Sequence, residues 1–192
     1  MKQTDIYQTL EDRHNDCEIE SNGPFFCSEK YPNGNLKKGV KEPWLGEGYY
    51  FWDTRIEDAK WWGNTIYGRK GYIICHTTYD QHSSLLYDLV GNVEQFDEFV
   101  ECAKFIKQNL NIETIKFPFV LKYLKKNADF NYKAIRVWPQ PQNIEDTAIK
   151  FPGYKTILGK ADKIQICFFD KTLLTQPYHI VYKQSFLENQ TI

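Results

Sequence analysis

Leu45-Gly46-Glu47-Gly48-Tyr49-Tyr50-Phe51-Trp52-Asp53-Thr54-Arg55 is the segment best suited to chemistry in this chain. Two glycines one residue apart allow a sharp turn and a close backbone approach to a ligand. Four consecutive aromatics then offer stacking surface, and Trp61 and Trp62 follow Ala59. Other arrangements are weaker. Cys75 and His76 are adjacent, so a strand would aim them at opposite faces, and with His82 they lack a second ligand pair for zinc. No metal site is therefore expected. Gly46-Glu47-Gly48 lacks the third glycine of a dinucleotide loop, and no Gly-Lys-Ser/Thr is present. Ser83 and Ser84 follow His82 without a nucleophile elbow, and the four histidines have no evident partners. Taken alone, Tyr49 to Trp52 is equally readable as an ordinary core strand.

The elements that must position this run follow from periodicity and punctuation. Asp5–Leu10 alternates as a first strand, and 11–23 is readable as a short helix or a loop. Pro32, Asn33, Gly34, Gly39 and Pro43 make 28–43 a loop. Tyr49–Trp52 reads as a strand. Thr54 and Glu57 have capping-box spacing, which predicts a short helix from Arg55 to Trp62 ended by Gly63. Gly71–Thr78 is strongly β. Phe96, Phe99, Val100, Ala103, Ile106 and Leu110 predict a helix from Val93 to Leu110, and a second runs from Phe117 to Lys126 with Pro118 in its first turn. Asn131–Trp138, Ile164–Asp170 and His179–Tyr182 complete the strands, and 139–160 reads as loop. The order is α+β rather than alternating βαβ.

At 192 residues the chain is expected to form a single domain over 1–192. A net charge of −1 argues against a general nucleic-acid binder, although the lysines at 116, 122, 125, 126 and 133 form a local basic run. Five widely spaced cysteines without a Cys-x-x-Cys read as reduced, mostly buried thiols of a cytoplasmic protein. No signal core is evident in Met1–Asp5, and no window has the apolar length of a membrane span.

The run Gly46-Glu47-Gly48-Tyr49-Tyr50-Phe51, with Ala59 and Trp61 behind it, resembles the central motif of ADP-ribosyltransferases of the diphtheria-toxin and poly(ADP-ribose) polymerase type. Tyr50, Asp58, Ala59 and Trp61 fall without a gap on the family's Tyr, Ser, Ala and second aromatic. Ile6-Tyr7-Gln8-Thr9 resembles its first-strand motif, with Gln8 for His and Thr9 for Gly. Ile164-Gln165-Ile166-Cys167-Phe168-Phe169-Asp170 resembles the late strand, with Gln165 for the family's Glu. The helical block at 93–127 has no counterpart in these motifs and reads as an insertion.

This resemblance implies split antiparallel sheets around a cleft for the co-substrate NAD. Tyr50 and Trp61 would clamp nicotinamide, Gln8 would bond a ribose hydroxyl, and Thr9 and Asp58 would lie beside the carboxamide. Gln165 would sit at the reacting carbon, making Gln165 and Tyr50 the catalytic candidates. The implied activity is transfer of ADP-ribose to a macromolecular acceptor, protein or nucleic acid, in the manner of a bacterial or phage toxin with a possible antitoxin. The alternative is the same fold, weak or inactive, binding NAD, ADP-ribose or nucleic acid. Gln165 carries no charge to offset a developing cation, and loss of such a charge slows transfer by roughly two to three powers of ten.

Overall fold

Tyr72–Asp80, rich in β-branched and aromatic residues, forms a strand buried on both faces along its first half. The computed structural model describes residues 2–139 and 162–185, together with the backbone strands at 148–150 and 157–159. The elements in order are β1 (Gln3–Glu11), α1 (Asp16–Asn22), β2 (Tyr49–Asp53), α2 (Ile56–Tyr67), β3 (Tyr72–Asp80), β4 (Leu86–Asp88), α3 (Val93–Asn109), α4 (Phe117–Asn127), β5 (Ala134–Val137), β6 (Ala148–Lys150), β7 (Ile157–Gly159), β8 (Gln165–Phe168) and β9 (Leu174–Gln184).

Seven strands form one mixed sheet in the order β4-β5-β8-β2-β1-β3-β9, and β6 pairs with β7 separately. Neighbours in the large sheet run antiparallel except β4 and β5. The α+β expectation is met. The short β4 was unforeseen, because its three residues show no periodicity of their own. The β6–β7 pair lies within the expected 139–160 loop, the rest of which, after Pro139, is outside the described residues. No helix among the described residues is long and apolar enough to cross a membrane.

One junction in the sheet is weak. β1 meets β2 only at Ile6–Asp53 and Tyr7–Trp52, whereas it pairs with β3 from Gln3–Asp80 to Glu11–Tyr72. Beyond Tyr7 the two strands separate, and the Gln8 side chain occupies the opening.

Helices cover one face in two places. α2 lies on β1, β2 and β3 above Trp52, Ile74 and Tyr72. α3 and α4 bring Phe99, Ile106, Val120, Leu121 and Leu124 onto Tyr87, Ile135, Val137 and Cys167. Burying each such side chain contributes about 1.5–3 kcal/mol. The opposite face packs Ile6, Phe51, Ile73, Cys75, Ile166 and Phe168 against α1 and Tyr178.

Pro118 does start a helix, and Asn92 caps α3 by accepting from the Gln95 N–H. The expected capping box at Thr54 does not form. Arg55 is the N-cap residue, without a side-chain cap, and Thr54 sits at φ 63 bonded to Asp53 instead. Gly63 does not end the helix, which continues to Tyr67. A Cβ at Gly63 would lie 2.4 Å from the Tyr72 ring, so this glycine permits helix–strand contact. Gly63→Ala is expected to lower stability by about 1–3 kcal/mol through overpacking, outweighing the roughly 1 kcal/mol that alanine adds to helix propensity. A urea titration reads the difference, and a variant as stable as wild type would contradict the close contact.

Candidate functional site

Cross-strand register builds one continuous row on the face that α2, α3 and α4 cover: Val137, Gln165, Trp52, Tyr7, His76 and His179, from β5 to β9. Residues directly opposite in paired strands point to the same side. Tyr50 and Thr9 lie one pleat further along the same face, because side chains alternate.

Five of the six residues singled out in the sequence share this face. The Trp61 ring stands 6.0 Å from Trp52 at 88°, is 42% exposed, and carries the Lys163 ammonium 4.3 Å from its centroid. Asp58 is buried, and its Oδ2 accepts from the Lys163 backbone N–H at 2.8 Å. Thr9 donates to the Ala59 carbonyl at 3.0 Å, tying α2 to β1. The Gln165 Oε1 accepts from the Trp44 indole N–H at 2.6 Å, while its Nε2 makes no hydrogen bond among the described residues. Four of the five tryptophans thus share this region: Trp44 bonds Gln165, Trp52 is its cross-strand neighbour, and Trp61 and Trp62 pack on Trp52. Sequence reasoning missed Trp44 and Lys163. The proximity of Trp44 to Gly46 was the one available signal.

Tyr50 is more constrained than a stacking residue needs to be. Its hydroxyl accepts from the Leu45 N–H and donates to the Gly46 carbonyl, both at 2.8 Å. Burial pushes its pKa far up, with the nearby Cys167 adding to the shift. The ring is therefore fixed as a wall, with no hydroxyl proton available for chemistry near neutral pH. The two glycines divide their work. Gly46 turns the chain at φ 81, and a Cβ at Gly48 would lie 2.5 Å from Cys167 Sγ and the Phe168 carbonyl. Gly48 serves the approach of β2 to β8 rather than to a ligand.

Gln8 is not at this site. It is adjacent to Thr9 in β1 and so points to the opposite face, 5% exposed. Its Nε2 donates to the Phe25 carbonyl at 2.9 Å and the Tyr50 carbonyl at 3.3 Å. Its Oε1 accepts from the Phe25 N–H at 2.9 Å and the Tyr178 hydroxyl at 2.8 Å. A glutamine amide has two donors and two main acceptor positions, and all are filled. The placement at a ribose is corrected accordingly: Gln8 seals the opening between β1 and β2.

A buried charge network also went unseen in the sequence. The Arg136 Nε and Nη2 both reach Asp53 Oδ2 at 2.7 Å, and Nη1 reaches Asp88 Oδ1 at 3.1 Å. It lies on the face opposite Trp52, at the end of β2 from which α2 departs.

The cysteines are less uniformly buried than expected. Cys75 and Cys167 are buried, Cys102 is intermediate, and Cys17 and Cys27 are exposed. Burial pushes the Cys75 thiol to about 11 and Cys167 to about 12. At mildly alkaline pH a thiol-exchange reagent is expected to label Cys17 rapidly and these two only upon unfolding. Labelling of Cys167 at the rate of Cys17 in the folded protein would contradict its burial. The basic run disperses: Lys116 pairs with Glu42, Lys133 with Asp170, and Lys125 lies over the Phe169 ring.

Among the described residues no group of three His, Cys, Asp or Glu side chains is arranged to hold a metal ion. Comparison with family models, curated proteins and solved structures gives no match to this chain.

Proposed function

We propose that this chain is an ADP-ribosyltransferase-type module that binds NAD or ADP-ribose beside Trp44, Trp61 and Gln165, with slow transfer at most. The observation that carries the reading is that Thr9, Tyr50 and Gln165, from β1, β2 and β8, lie on the sheet face that α2 covers with Asp58 and Trp61. Trp61 is 42% exposed, with the Lys163 ammonium over its ring, and the Gln165 amide nitrogen, without a partner among the described residues, offers N–H donors to a ribose hydroxyl.

Binding is favoured over efficient catalysis for a chemical reason. Breaking the nicotinamide–ribose bond releases nicotinamide and leaves positive charge on the sugar. Gln165 supplies no negative charge there, Gln8 is committed elsewhere, and Asp58 already accepts from Lys163. Missing electrostatic stabilisation of this kind slows the reaction by roughly 10²–10³-fold.

Calorimetric titration with NAD and ADP-ribose, alongside chromatographic detection of nicotinamide, tests the reading. Saturable binding is expected, weakened about tenfold in Trp61→Ala through lost stacking. Nicotinamide release by wild type should stay near the rate in buffer and rise in Gln165→Glu. Folded protein that binds neither compound would overturn the proposal. Rapid release by wild type would replace it with full transfer to a protein or nucleic-acid acceptor.

A further inference from the structure

We infer that the segment from Phe26 to Lys41 is a docking surface for single-stranded nucleic acid. Residues 30–41 contain Lys30, Lys37, Lys38 and Lys41 and no acidic residue, in a chain whose net charge is −1. The local charge therefore opposes that of the whole molecule. The acidic neighbours are Glu29 and Glu42 at the two ends and Glu47, which accepts from the Ser28 hydroxyl.

The same stretch exposes Phe26 (47%), Tyr31 (52%), Leu36 (67%) and Val40 (46%). A built turn presents them. Tyr31 N–H donates to the Asn35 carbonyl and Gly34 N–H to the Tyr31 carbonyl, both at 2.8 Å, and Lys37 N–H donates to the Glu29 backbone carbonyl at 2.7 Å. Gly34 closes the turn at φ 85. Phe26 packs edge-on against Tyr49 at 5.1 Å, and the Lys171 ammonium is 5.4 Å from the Tyr49 ring. Lys37 is similarly placed 5.9 Å from Tyr31. Tyr31 is thus an exposed ring with an ammonium beside it, that of Lys37, which also donates to the Ser28 carbonyl, and Phe26 is a second exposed ring. Such rings among lysines suit base faces joined by phosphates, a recognition mode that tolerates sequence.

A lipid surface fits less well. Leu36 and Val40 are separated by Lys37, Lys38 and Gly39, and Lys41 follows, so no unbroken apolar patch is available to enter hydrocarbon. The segment leads directly to Trp44, whose indole holds Gln165. A docked strand would thus lie beside the proposed nucleotide site, although docking itself needs no nucleotide.

Fluorescence anisotropy of a labelled oligouridine of about sixteen nucleotides tests the inference on the full chain. Binding is expected to weaken at least tenfold between roughly 50 and 200 mM salt. Tyr31→Ala should weaken it about tenfold, and Lys30→Gln/Lys38→Gln/Lys41→Gln should lower the salt slope by about two. Exposed positions leave the melting temperature unchanged, which separates lost docking from lost folding. No binding at low salt, or binding indifferent to both variants, overturns the inference. So does binding to phosphatidylserine-containing vesicles without binding to RNA. NAD titration of Tyr31→Ala reads the nucleotide site separately, and its affinity should match wild type.

Discussion

Arg136→Ala is expected to destabilise the protein by about 3–5 kcal/mol, the cost of leaving a buried carboxylate without its partner. Asp53 is 2% exposed and Arg136 is 8% exposed. Two guanidinium nitrogens converge on Asp53 Oδ2, and after truncation the Thr54 hydroxyl is that carboxylate's one remaining side-chain hydrogen-bond partner among the described residues. Asp88 fares better, because its Oδ1 also accepts from the Val90 and Gly91 N–H groups. The damage should therefore centre on Asp53 and the start of α2. Against a typical domain stability of about 5–15 kcal/mol, the loss is severe. Denaturation in guanidinium chloride measures it. The double variant Asp53→Asn/Arg136→Met should be more stable than Arg136→Ala, since it buries no unpaired charge. A loss below about 1 kcal/mol for Arg136→Ala would mean that water reaches the network and screens it.

Gln8→Leu separates two roles for one residue. The substitution nearly preserves volume but leaves the Phe25 N–H, the Phe25 carbonyl and the Tyr178 hydroxyl without their partner. Each buried unsatisfied group costs about 1–3 kcal/mol, and local relaxation should reduce the combined loss to roughly 2–4 kcal/mol. Affinity for NAD, measured where the variant remains folded, should stay within about twofold of wild type because Gln8 faces away from Trp61 and Gln165. The opposite pattern, unchanged stability with affinity reduced about tenfold or more, would restore Gln8 to a ribose contact. Trp61→Ala supplies the contrast, since it should weaken binding.

Much of the local structure was legible because local rules govern it. Pro118 pre-sets the first turn of α4, and Phe99 and Ile106 recur on one side of α3. The β-branched run at 73–78 has no good alternative to a strand. The Gly46–Trp52 run was correctly read as a turn followed by a strand, and its neighbour Trp61 lies within ring contact of Trp52. What failed was local chemistry overridden by packing. The Thr54-x-x-Glu57 pattern promised a capping box, but the Thr54 hydroxyl went to Asp53. Gly63 resembled a stop signal, yet the Tyr72 ring required a residue without a Cβ inside the helix.

The sequence by itself determined the α+β character, the major helices, the central strands and the concentration of tryptophan near residue 52. Its period of two also required Gln8 and Thr9 to point in opposite directions along β1. Only the tertiary structure decided which of them faces the tryptophans. Pairing Tyr7 with Trp52 sends Thr9 beneath α2 and Gln8 into the opening sealed by Phe25 and Tyr178. Tertiary structure likewise brought Arg136 to Asp53 across 83 positions. Strand register and long-range charge pairing depend on which segments meet, and in a single sequence no local periodicity encodes that choice.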